Sequence, residues 1–149
     1  MILVRKAQPL DFALIAEFQL KMARETEGLS LDIDTVTRGV KQVFAHPGYG
    51  CYYVAEENDQ VVASLLTTYE WSDWRNAKVL WIQSVYVLPA YRKMGVFRKM
   101  YDYIREAVLA DPSLAGIRLY VDKSNVTAQQ VYRKVGMDGD HYALFEWMK

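Results

Sequence analysis

One stretch constrains the fold more than any other: Val85–Met100, VYVLPAYRKMGVFRKM. Its start, with Trp81 and Ile82 just before it, is aromatic, β-branched and aliphatic, as strands favour. Pro89 ends that strand, because proline has no ladder donor. A basic turn follows, Arg92-Lys93-Met94-Gly95. Then Phe97, Met100, Tyr101, Ile104 and Val108 recur at helical spacing, which predicts a helix over Val96–Ala110. Strand, basic glycine-containing turn and helix together make an anion-binding device. The first amides of a helix have no partner inside it, and the aligned peptide dipoles make that end partly positive. Both favour phosphate. Gly95 lets the backbone approach a ligand with no Cβ in the way. The turn has neither the lysine-containing pattern of a P-loop nor the GxGxxG of a dinucleotide fold.

The rest of the chain bounds what such a device serves. A chain of 149 residues suits a single domain, 1–149, with a real core. Its formal net charge is zero, which argues against a nucleic-acid partner but leaves room for a small basic pocket. Cys51 is the one cysteine, so no internal disulfide is possible. No signal peptide and no long apolar run are evident, so the expectation is a cytoplasmic protein with no membrane partner. No Cys, His and Asp spacing suggests a metal site.

In chain order, Ile2–Ala7 reads as a strand. Residues 9–26 read as an amphipathic helix with Leu10, Leu14, Ile15, Phe18 and Met22 on its apolar stripe, stopped by Gly28. Asp32 or Asp34 caps a second helix that runs to about Ala45. Cys51–Glu56 and Gln60–Trp71 form a hairpin around Asn58-Asp59, and Lys78–Leu88 is the next strand. After the Val96–Ala110 helix come a strand at Ile117–Val121 and a helix from Ser124-Asn125 to Gly136. The tail Tyr142–Met148 reads as a final strand, with Leu144 and Phe145 as its core candidates. The order β-α-α-β-β-β-α-β-α-β is that of an α/β (α+β) domain, with helices covering a central sheet.

Two segments on these elements resemble one family. Tyr86-Val87 followed by Arg92 and Gly95 resembles the strand end and Q/R-x-x-G-x-G/A loop of the GNAT N-acetyltransferases, with Phe97 where a small residue is usual. Asn125, Ala128, Tyr132 and Gly136-Met137 resemble its N-x-x-A-x-x-x-Y-x-x-x-G-F segment, with Met137 in place of Phe. The element order matches as well. The resemblance implies the GNAT fold, with a mixed, mostly antiparallel sheet. It implies acetyl-CoA as co-substrate and transfer of the acetyl group to a primary amine, on a small molecule or a peptide, by direct attack in a ternary complex.

It also implies roles. Arg92, Lys93, Met94, Gly95, Val96, Phe97 and Arg98 would hold the pyrophosphate. Val85, Tyr86 and Val87 would lie on a strand that splays from its neighbour, and the backbone groups near Val85 and Val87 would pair with the pantetheine arm and polarise the thioester. Asn125 would bond the arm or serve only as a helix cap. Tyr132 would protonate the departing thiolate. Glu25, Glu27, Tyr69, Glu70, Trp71 and Trp74 would border the acceptor, acids and aromatics suiting a cationic amine. Gln83 and Ser84 stand where relatives carry a base, so Glu70, Glu25 or Glu27 acting through water are the candidates, and Cys51 is a poor nucleophile. The missing base and Phe97 also suit a second class of protein, a CoA-binding regulatory or interaction domain without turnover. Pairing of the final strands would allow a homodimer.

Overall fold

The computed structural model describes residues 1–149, which form two units, 1–118 and 119–149. The first carries β1 (Leu3–Lys6), α1 (Phe12–Glu27), α2 (Ile33–Ala45), β2 (Cys51–Glu57), β3 (Gln60–Ser72), β4 (Ala77–Val87), α3 (Val96–Ala110) and β5 (Leu114–Arg118). The strands make one sheet in the order β1-β2-β3-β4-β5. Neighbours are antiparallel except β4 and β5, which are parallel. The mixed, mostly antiparallel sheet expected from the sequence is therefore present.

Local chemistry sets the element ends. Gly28 stops α1 in the left-handed region, and the N–H groups of Gly28 and Leu29 return to the carbonyls of Arg24 and Ala23. Asp32, not Asp34, caps α2, its carboxylate accepting from Thr35 N at 2.9 Å. Asn58 and Asp59 both take positive φ in the two-residue turn between β2 and β3, the geometry that matches strand twist. The helix expected from residue 9 begins later. Pro9–Asp11 is a single 3₁₀ turn, and α1 starts at Phe12. Leu10 is thereby 89% exposed and leaves the apolar stripe.

The sheet is covered on both faces. Ile15 and Ala16 of α1, Val40 of α2, Tyr52, Val54 and Leu66 form one buried cluster. Tyr53 lies between Tyr52 and Val54, so it points to the opposite face, where its ring meets Tyr103 of α3 at 5.9 Å. Gly50 passes so close to β3 that a Cβ there would stand 2.4 Å from Thr67 O.

Two strand expectations are corrected. The strand expected over Ile117–Val121 lies instead at Leu114–Arg118. Its register is set by β4, with rungs from Lys78↔Leu114 to Trp81↔Arg118, and it ends where that ladder ends. In the second unit the only regular element is α4 (Val126–Lys134), and Tyr142–Met148 forms no strand. A strand exists only where a neighbour completes its backbone hydrogen bonds, and the apolar and aromatic residues of this tail are not matched by a ladder. Leu144 is exposed and Phe145 is 95% exposed, so neither is a core residue.

Leu65, fully buried on β3, gives a test of the core. Leu65→Ala is expected to cost about 3 kcal/mol in urea unfolding, whereas Phe145→Ser on the exposed tail should stay within about 0.5 kcal/mol.

Candidate active site

The site is built where β4 outlasts its neighbour. The ladder from β4 to β5 ends at Trp81↔Arg118, yet β4 runs on to Val87. On its other side β4 stays paired with β3 up to Ala63↔Val87, through a register shift between Ser64 and Leu66. Ser84 lies in that shift at φ 55, a bulge that adds a residue and turns the strand. Beyond the bulge, Leu88 N bonds Val62 O on β3 at 2.9 Å. In an antiparallel ladder, residues alternate between bonding the partner strand and facing away from it. The backbone groups of Val85 and Val87 therefore face the side that β5 has vacated.

The last rung is tied by side chains. Trp81 Nε1 donates to Glu70 Oε1 at 2.7 Å, and Arg118 Nη1 donates to Glu70 Oε2 at 2.6 Å. These bonds, the indole first and the guanidinium after it, hold the Glu70 carboxyl below its usual range. Glu70 is thus an ionised acceptor of two hydrogen bonds and a weak proton acceptor at neutral pH. Sequence reasoning placed Glu70 in the site but missed Trp81 and Arg118. The available signal was the indole itself, since a half-buried Trp N–H needs a partner.

The turn after β4 has the shape expected of it. A 3₁₀ turn, Pro89–Tyr91, leads into Lys93 at φ 63 and Gly95 at φ 75. Gly95 takes the N-cap of α3, and its carbonyl accepts the Lys99 amide at 3.1 Å. Val96 is buried and anchors the helix start. Phe97 is half-buried, with its ring 6.2 Å from that of Tyr101 along α3. Lys93, Met94 and Arg98 are exposed.

Arg92 has partners within the chain itself. Its Nε donates to Val87 O at 2.9 Å, and its Nη2 pairs with Glu25 Oε2 at 2.7 Å. Glu25 Oε1 accepts from the Tyr86 hydroxyl at 3.0 Å, and the guanidinium lies over the Tyr86 ring at 5.5 Å. Arg92, then Tyr86, hold the Glu25 carboxyl below its usual range. Burial, with Glu25 alongside, pushes the Tyr86 phenol up. Glu25 at the end of α1, Tyr86 on β4 and Arg92 in the turn thus form one polar cluster. Glu27 and Trp71 are exposed and hydrogen-bond to neither cluster. Tyr69 is approached instead by Lys78, whose Nζ sits 5.1 Å above its ring. Trp74 is 91% exposed.

In the second unit, Asn125 is the N-cap of α4, its Oδ1 accepting from Ala128 N at 3.1 Å. The helix cap expected of this residue is therefore present. Tyr132 is half-buried on α4, and burial pushes its phenol up, which keeps it protonated at neutral pH. Gly136 ends the helix region at φ 95. No group of three or more His, Cys, Asp or Glu side chains gathers as for a metal, and no helix is long and apolar enough to cross a membrane.

Residues 16–137 match the acetyltransferase (GNAT) family model. A possible acetyltransferase from Clostridium difficile 630 is similar along the whole chain, with 42% identity, a TM-score of 0.92, and coverage of 100% of this chain and 98% of that one. A predicted acetyltransferase with acetyl-CoA from Clostridium acetobutylicum shares the fold at 23% identity and a TM-score of 0.75, covering 98% and 96% of the two chains. Glucosamine-6-phosphate N-acetyltransferase from Arabidopsis thaliana shares it at 17% identity and 0.74, covering 100% and 99%. No curated protein matches the sequence.

The tie across the last rung gives a pH-dependent prediction. A double-mutant cycle of Glu70→Gln and Arg118→Met should return about 1 kcal/mol of coupling at pH 7, as expected for a pair about one third exposed. The folded value of Glu70 lies below its ordinary 4.5. The coupling is therefore complete above that value and fades as the pH falls through the lower, folded one.

Proposed function

The chain belongs to the GNAT acetyltransferase family, and from that premise we propose that it transfers the acetyl group of acetyl-CoA to a primary amine by direct attack in a ternary complex. The observation that carries this reading is the open edge of β4, with backbone groups of Val85 and Val87 facing away from β3 and no ladder beyond Trp81. An extended ligand with amide groups pairs with such an edge as a strand would. The edge leads directly into the turn at Lys93–Gly95 and the start of α3, so one ligand with an extended arm and a pyrophosphate suits both.

Acetyl-CoA supplies the activated thioester. The chain supplies the positioning. The Val85 and Val87 backbone pairs with the arm and polarises the carbonyl, where negative charge grows during attack. Amides of the turn and of the first residues of α3 take the pyrophosphate, and Lys93 and Arg98 add attraction. Tyr132 gives its proton to the departing thiolate. Burial pushes its phenol up, so the protonated, proton-donating form is the one present at neutral pH. Where Glu70 is concerned, the acceptor nitrogen must arrive neutral or lose a proton to water, because Glu70 is held by Arg118 and the Trp81 indole.

Acetyl-CoA at 100 times its dissociation constant should stabilise the protein by about 2.7 kcal/mol and raise its melting temperature by several degrees, with no effect of ATP. An amine screen followed by thiol release should then find turnover. Tyr132→Phe should lower kcat about 100-fold while leaving the dissociation constant of acetyl-CoA unchanged. A shift without turnover on any amine would instead indicate a binding domain.

A further inference from the structure

The one cation of the turn that is neutralised is the one that blocks the open edge. The run Arg92–Lys99 holds Arg92, Lys93, Arg98 and Lys99 and no acid. Glu25 reaches across from the end of α1 to pair with Arg92 alone. The same guanidinium occupies the carbonyl of Val87, a group on the edge that faces away from β3. Arg92 thus stands between the turn and the strand, and Glu25 holds it there.

We infer that Glu25 and Arg92 form a latch over this edge, which the pyrophosphate of CoA opens by taking Arg92 from Glu25. This inference rests on the proposed use of acetyl-CoA. The exchange is chemically balanced. Arg92 leaves one carboxylate and one carbonyl for phosphate oxygens that carry more charge and accept its parallel N–H groups together. Both side chains are about 40% exposed or more, so the pair is held weakly enough to exchange. Opening has two results. The Val87 carbonyl becomes available to the arm of the ligand. Glu25 loses its cation but keeps its hydrogen bond from Tyr86, leaving an unneutralised carboxylate beside β4. The acceptor that fits such a group is a cationic amine, and its affinity rises once CoA is bound. By linkage, the amine raises CoA affinity by the same factor.

Calorimetric titration of acetyl-CoA tests the latch without an acceptor. Glu25→Gln removes the competitor for Arg92 and should tighten acetyl-CoA binding about two- to fivefold, the range open to an exposed pair. Glu25→Ser should shift it in the same direction. In an Arg92→Gln background, binding should be weaker overall and the Glu25→Gln change should have no effect. Unchanged or weaker binding by Glu25→Gln would overturn the latch and make the pair a fixed support of the turn. No binding of acetyl-CoA by the unmodified protein would overturn the proposed function itself, a distinct outcome.

Discussion

The parting of two strands at one rung governs this structure. β4 is paired on both sides from Lys78 to Trp81 and on one side only beyond. A central strand normally has no backbone groups to spare. Here the left-handed Ser84 bulges β4, and β5 goes no further than Arg118. The sheet keeps its core because β3 follows β4 through the bulge, with Leu65 and Ser64 fully buried behind it. What is lost in ladder hydrogen bonds on one side is a row of backbone groups that no strand pairs, with the Val87 carbonyl taken instead by the Arg92 side chain.

Charge is distributed to match. The chain is neutral overall, yet each of its two site carboxylates is committed to an arginine from a different element. Glu70 joins three adjacent strands at the rung. Glu25 joins a helix, a strand and a turn. The first pair holds still what must not move. The second ties the end of α1 to β4 and to the turn that follows it. Between them the backbone at Lys93 takes a left-handed conformation that costs a non-glycine residue about 1 kcal/mol, and buried Val96 holds the helix start just beyond it.

Much of this was legible in the sequence, for physical reasons that can be named. Strand, turn and helix at Val85–Met100 announce themselves because the apolar period changes from two to three and four within a few residues, with Pro89 and Gly95 as punctuation. The hairpin at Asn58-Asp59 is equally local. What was not legible depends on partners distant in sequence. The bounds of β5 are set by β4, about 35 residues earlier, so alternation alone misplaced them by three residues. Tyr142–Met148 has a strand's aromatic and apolar residues and no ladder. Arg92 looked like a free cation because nothing in its own segment opposes it, and Glu25, 67 positions away, was invisible as its partner. Asn125 was the opposite case: a cap is a bond to a residue three positions on, and it was foreseen as one of two possibilities.

The placement of the tryptophans has an optical consequence. The chain has four. Trp71, Trp74 and Trp147 lie largely in water already, so their emission changes little when the chain unfolds. Trp81 is different, half-buried and hydrogen-bonded to a carboxylate at the point where β4 and β5 separate. Intrinsic fluorescence of this protein is therefore close to a single-site signal on a bright constant background. It reports the fork of the sheet rather than the state of the whole chain.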